Sequence, residues 1–174
     1  GFRGNLLKSK RALYNRFFKN TPYRFVEFDS FIIKDALGLY KRWAAGRLEK
    51  HPDPFYKNLL EDGILVHKKI LENFNKLRLK GLFLEIGGHL SAYTAGYPLN
   101  DTTFVVFLEI ANLRFKGISE FIFSEFSKIL GKYKFLDIMG DSGLENLKKT
   151  KLSYHPQKFA AIYSASKIDR QKWP

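Results

Sequence analysis

LFLEIGGHLSAYTAGYPLNDTTFVVFLEI, the stretch from Leu82 to Ile110, decides the fold. Leu82 to Ile86 and His89 to Tyr97 read as strands separated by Gly87-Gly88, a dipeptide that supplies the positive φ angles of a tight hairpin turn. Pro98-Leu99-Asn100-Asp101 then turns the chain into Thr102 to Ile110, whose two faces are both mostly apolar, as in a central strand.

Downstream, Ile118, Phe121, Ile122, Phe126, Ile129 and Leu130 mark a strongly amphipathic helix over Gly117 to Leu130, closed by Gly131. A buried strand follows at Phe135 to Met139. Ser142 with Glu145 three residues on reads as a capping box for a short helix to about Lys149. After Pro156, Lys158 to Ser164 alternates as a last strand, and Asp169 to Pro174 is a polar tail. Upstream, residues 5 to 19 form a basic amphipathic helix, with Lys8, Arg11, Asn15 and Lys19 on one face. Tyr23 to Phe28 reads as a strand. Asp29 or Ser30 caps a helix from about Phe31 to Ala45 that Gly46 stops, and His51 to Pro54 is a turn-rich connector. Glu61 to Arg78 is the next helix, with Ile70, Leu71, Phe74 and Leu77 at core spacing.

The chain's 174 residues suit one domain with a substantial core, and 45% apolar with 16% aromatic residues exclude a disordered chain. A net charge of +13 favours polyanionic partners: nucleic acid, anionic lipid or a phosphate-bearing cofactor. The absence of cysteine removes disulfides, thiolate metal sites and a cysteine nucleophile, and is compatible with a reducing cytosol. No apolar run approaches the roughly 20 residues of a transmembrane helix. The amino-terminal segment is basic without an apolar stretch, so it reads as mature sequence rather than a secretory signal.

The order is a helix followed by β-α-α-β-β-β-α-β-α-β, an α/β (α+β) arrangement with a mixed, mostly antiparallel sheet flanked by helices. It resembles the GNAT acyltransferase fold, in which the fourth strand and the next helix form the donor site; here that segment is Glu109 to Ser119. The wording of Gly96 to Val106 (GYPLNDTTFVV) and Lys148 to Pro156 (KKTKLSYHP) is similar to the phosphatidylglycerol lysyltransferase C-terminal domain family. The basic opening, Lys8 to Arg11 through Asn15 to Phe17, resembles the basic helix that joins two GNAT-like domains in that family. The resemblance implies a tandem GNAT-like protein related to Fem-type aminoacyl and peptidyl transferases, whose best-known relatives move an aminoacyl group from tRNA to a lipid. Residues 1–20 would then be a linker helix and 21–174 the GNAT-like domain, with a similar domain upstream.

Candidate site residues follow. Arg114 and Lys116, with the amides of Gly117 and Ile118 at a helix start, suit a phosphate, because side-chain charge and helix dipole act in the same direction. Glu109 shares a strand face with Val105 and Phe107 by simple alternation, so an apolar cleft would raise its pKa toward that of a base for an attacking amine. Lys151, Ser153, Tyr154 and His155 form a polar cluster in which Tyr154 can serve a leaving group as an acid and Lys151 a phosphate. Asp141 reads as a turn residue beside a cap. The four histidines have no metal-ligand spacing, so no metal is expected, and Walker-A, Rossmann and Gly-x-Ser-x-Gly patterns are absent.

The leading expectation is an acyl or aminoacyl transferase with no tightly bound cofactor. Its donor would be aminoacyl-tRNA in preference to acyl-CoA, and its acceptor an amine or hydroxyl, phosphatidylglycerol among them. It would act in the cytoplasm, at the inner membrane face where the acceptor is lipid. The rivals are an acyl-CoA-dependent N-acetyltransferase and a non-catalytic basic module that binds RNA or anionic membrane. An open cleft between the fourth and fifth strands, lined by Glu109, Arg114 or Tyr154, would favour an enzyme; one filled by aromatic rings would favour the module.

Overall fold

The computed structural model describes residues 4–161 and 163. Helix α1 (Lys8–Asn20) leads into β1 (Arg24–Val26), helices α2 (Ile32–Lys50) and α3 (Pro54–Glu72), and strands β2 (Lys80–Ile86), β3 (His89–Pro98) and β4 (Thr103–Ala111). Helix α4 (Ile118–Ile129), strand β5 (Phe135–Asp137) and helix α5 (Glu145–Leu152) complete the described elements. The sheet runs β1-β2-β3-β4-β5 in space, antiparallel throughout except for β4 and β5, which are parallel.

The hairpin turn is made as its glycines require, with φ +58° at Gly87 and +78° at Gly88. Asp29 caps α2, its Oδ1 accepting from the Phe31 and Ile32 amides at 2.8 and 3.0 Å. Several boundaries differ from the sequence reading. Gly46 does not stop α2, which runs on to Lys50 because a glycine inside a helix costs only about 1 kcal/mol when the packed turns around it persist. Helix α3 begins at Pro54, whose missing N–H is no loss at that position, and Asp53 accepts from the Tyr56 amide at 3.1 Å. It ends at Glu72; Phe74 still reaches the core, but Leu77 is 51% exposed. The Ser142 capping box does not form, since Leu144 stands at the start of α5 and Ser142 has φ +53°. Of the expected strand from Lys158 to Ser164, residues 158–161 and 163 are not in a strand, and 162 and 164 lie outside the described residues.

Two apolar layers sandwich the sheet. On one face α1 and α4 pack Phe17, Ile118, Phe121, Ile122 and Phe126 against Leu82, Leu84, Ala92, Phe104 and Val106. On the other, α2 and α3 pack Ala36, Leu39, Tyr40 and Leu71 against Phe83, Leu90, Tyr93, Leu108 and Ile110. Helix α4 is the most deeply buried, as its broad apolar stripe predicts: five of its 12 residues are buried, against four of 19 in each of α2 and α3. Phe121 is the hub, its ring centroid 5.2 Å from Tyr14, 4.8 Å from Phe17 and 4.7 Å from Tyr23.

Strands β3 and β4 each carry a bulge. Leu84 faces Ala92 while Glu85 faces Leu90, so Ser91 is an extra residue in β3. Ala95 faces Leu108 while Gly96 faces Val106, so Phe107 is an extra residue in β4. A Cβ at Gly96 would overlap the Val105 carbonyl oxygen, which makes glycine at that position a condition of the β4 bulge.

Two substitutions test this packing by chemical denaturation. Phe121→Ala should cost about 3–5 kcal/mol, as for a phenylalanine removed from a closed core. Gly96→Ala should cost about 1–3 kcal/mol, because the added methyl meets backbone that cannot swing aside.

Candidate active site

The parallel pairing of β4 with β5 covers only Thr103 to Val105 against Phe135 to Asp137. Beyond it β4 keeps only β3 as a paired neighbour up to Ala111, and Glu109 lies in this stretch, on the strand edge that β5 no longer covers.

The face it takes contradicts the simple alternation that puts Glu109 with Val105 and Phe107. Phe104 and Val106 face the α1/α4 layer, whereas Leu108 and Ile110 face α2 and α3. The extra residue at Phe107 shifts the side-chain phase by one, so Glu109 joins Phe104, Val106 and Ala111 on the α1/α4 face.

The Glu109 side chain is exposed to solvent, although much of the protein surrounds its carboxyl. No described residue makes a hydrogen bond or ion pair with it. Desolvation pushes its carboxyl up to about 8; the charge of Glu120 adds to the rise, while Lys151 and Lys10 oppose it. Water reaches the group and works against desolvation, so the upward direction is what its chemistry rests on.

Around it the elements bring together residues distant in sequence. Lys10, from α1, is buried to 8% exposure and its Nζ lies 3.3 Å from Glu120 Oε1 in the first turn of α4. The same ammonium stands 4.3 Å above the Tyr154 ring, which also meets the Phe123 ring edge-on at 5.0 Å. Burial, with Glu109 and Glu120 adding, raises the Tyr154 phenol far above its ordinary value, so it stays protonated and able to donate.

Lys151 has a different part from the one its charge suggested. Its Nζ donates to three carbonyls in a row, Ile138 at 2.5 Å, Met139 at 3.1 Å and Gly140 at 2.6 Å. An ammonium has three protons, so none is left for a phosphate. Burial lowers the Lys151 pKa, while Asp141, Asp137 and Glu109 act in the opposite direction. The loop it gathers includes Met139 at φ +62°, a strained setting for a large side chain.

Arg114 and Lys116 lie exposed on the turn after β4. Of the two amides beside them, that of Ile118 is already used, donating to the Phe115 carbonyl at 3.2 Å. Gly117, at φ +93°, packs so closely on α1 that a Cβ would overlap the Leu13 carbonyl oxygen. Asp141 accepts from the Gly143 amide at 3.0 Å, the turn role expected of it.

Sequence reasoning found Glu109, Tyr154 and Lys151 but missed Lys10 and Glu120 as a buried pair. No local pattern joins residues 110 positions apart. Among the described residues no group of three metal-ligating side chains occurs. His67 is a core residue, its Nδ1 2.8 Å from the Tyr93 hydroxyl and its pKa lowered to about 4 by burial. A wide depression of about 500 Å³ lined by Ile70, Leu77, Arg78, Tyr97 and Phe107 opens on the opposite sheet face, and its mostly apolar walls hold no carboxylate or histidine. It is not where the chemistry gathers. No helix among the described residues is long and apolar enough to cross a membrane.

Residues 1–166 match the family model described as phosphatidylglycerol lysyltransferase, C-terminal. A search of curated proteins finds no match. Among solved structures, a conserved protein of unknown function from Bacteroides thetaiotaomicron is 30% identical with a TM-score of 0.76, covering 90% of this chain and 52% of that one. The chain thus spans about half the length of that relative. The C-terminal domain of an Agrobacterium fabrum protein named as a lysylphosphatidylglycerol synthetase is 15% identical, with a TM-score of 0.51 and coverage of 90% and 53%. A GCN5-related N-acetyltransferase from Ralstonia eutropha is 14% identical, with a TM-score of 0.50 and coverage of 87% and 99%. At these identities the last two speak for the fold alone, and the fold is GNAT-like.

The Lys151 contacts generate a prediction. Lys151→Met should remove about 1–3 kcal/mol of stability and speed hydrogen exchange selectively over residues 138–143. Lys151→Arg should not restore protection, because a planar guanidinium cannot point three donors at one convergent set of carbonyls.

Proposed function

The chain belongs to the phosphatidylglycerol lysyltransferase C-terminal family, and from that premise we propose that it is an aminoacyltransferase domain. In this reading Glu109 takes the proton of an attacking amine or hydroxyl. The observation that carries the reading is a lone carboxylate, unpaired among the described residues and raised in pKa, on β4 beyond the residues that pair with β5.

Acyl transfer by this route needs no covalent intermediate. Donor ester and acceptor are held together in one concavity, so the attack is effectively unimolecular. The acceptor's nucleophile adds to the donor carbonyl as its proton passes to Glu109. The tetrahedral intermediate then collapses, its C–O bond to the leaving group breaking as that oxygen takes the Tyr154 phenol proton; Glu109 gives its proton up to solvent, from which Tyr154 is reprotonated. Lys10 and Glu120 position Tyr154 from the opposite side, through the ammonium above its ring.

Two features support aminoacyl-tRNA over acyl-CoA as donor. A field of +13 suits a large polyanion, and at the start of α4, where a pyrophosphate would need open amides, the Ile118 N–H is already bonded and Leu13 packs against Gly117. Arg114 and Lys116, exposed beside that helix, would then meet tRNA backbone phosphates. The acceptor is a lipid hydroxyl such as that of phosphatidylglycerol, reached at the cytoplasmic membrane face, where charged tRNA is present.

The test is transfer of radiolabelled amino acid from bulk charged tRNA to phosphatidylglycerol vesicles, run beside acetyl-CoA with an amine panel. Transfer to lipid is expected, and Glu109→Gln should lower it by roughly 10²- to 10⁴-fold. The base form of Glu109 grows as pH rises through about 8, so the wild-type rate should climb toward that pH and level above it. Acetyl transfer without aminoacyl transfer would reassign the donor. No transfer from either donor, with salt-sensitive tRNA binding, would favour the binding module.

A further inference from the structure

Thr94 lies in β3 with no accessible surface, and its Oγ1 has no hydrogen-bond partner among the described residues. The β3/β4 ladder sets it directly across from Glu109. Facing residues of an antiparallel pair share one side of the sheet, with Cβ atoms roughly 4.5–5.5 Å apart. Thr94 therefore points toward the α1/α4 layer, beside Ala92 on its own strand and between Glu109 on β4 and Leu82 on β2. A hydroxyl enclosed there without a partner is destabilising by comparison with a valine of nearly the same shape.

We infer that Thr94 is a positioning residue whose hydroxyl donates to the Glu109 carboxylate when that group ionises, holding the base toward the acceptor. While Glu109 is protonated it has little need of a donor. Once it is charged, the short cross-strand path makes Thr94 the neutral donor on its own sheet. The other groups facing Glu109 are Glu120 from α4, Lys10 from α1, Lys151 from α5 and the Tyr154 phenol after α5. Lys10 is engaged by Glu120 and Lys151 by the loop carbonyls. The role rests on reading Glu109 as the base, whereas the coupling between the two side chains needs no particular reaction.

The sign follows from the chemistry: a donor to the ionised form favours it, so losing the hydroxyl raises the Glu109 pKa further. The experiment is a ¹³C side-chain carboxyl NMR titration of Glu109 in the whole chain, its signal assigned by loss in Glu109→Gln, for the wild type, Thr94→Val and Thr94→Ser. Thr94→Val should move the midpoint upward by roughly one pH unit, while Thr94→Ser should stay within a few tenths of wild type. A Thr94→Val curve that overlays the wild type would overturn the inference. So would a Thr94→Ser curve shifted as far as that of Thr94→Val, since packing and not the hydroxyl would then be responsible. If Thr94→Val does not fold, Thr94→Ala is read by the same criterion. Failure of the transfer assay leaves this titration intact, and failure of the titration leaves the assay intact, so the two claims are separable.

Discussion

A strand presents its side chains with a period of two, so a single inserted residue exchanges its faces from that point on. The candidate site depends on this constraint. Phe107 is the inserted residue in β4, and Gly96 across from it allows the Val105 carbonyl to come close. Without the insertion Glu109 would be pressed among the apolar residues of α2 and α3. With it, the carboxylate stands where β4 has lost β5 as a neighbour. The bulge also explains how one strand can supply a packed core at its start and a chemical group near its end.

The helical layer over that face has two tasks, and its residues divide between them. Phe121 and its ring of Tyr14, Phe17 and Tyr23 lock α1 onto α4 and onto the start of β1. The same packing carries Lys10 inward to meet Glu120 and cover Tyr154. Buried ion pairs contribute little net stability, because desolvation offsets their attraction, but removing one partner leaves a costly lone charge. Here the Lys10–Glu120 pair is better understood as fixing the local field around Glu109 than as holding the fold together. Lys151 shows the same division in another form: a cation that looks like a ligand for phosphate is consumed by three carbonyls of a strained loop.

Much of the architecture was legible in the sequence. Gly87-Gly88 announced the hairpin, Asp29 the start of α2, and the stripe from Ile118 to Leu130 the central helix, because each signal acts within a few residues through φ angles, capping or helical periodicity. Where such signals were ambiguous, packing decided. Gly46 sits inside α2 rather than at its end, and Leu77 falls beyond α3 with half its surface exposed.

By itself the sequence determined the order of the elements from α1 to α5, the basic balance of charge and which carboxylate and phenol were candidates for the site. Tertiary structure alone decided on which side Glu109 would face. Thr103 to Ala111 is apolar on both faces, so a bulge within it leaves no mark in the alternation of residue types; only pairing with β3 reveals it. Tertiary structure also decided that Lys10 would lie beside Glu120, that Thr94 would stand across from Glu109, and that α1 would pack against Gly117. Each of these is a meeting of residues far apart in the chain, and no rule of local spacing carries that information.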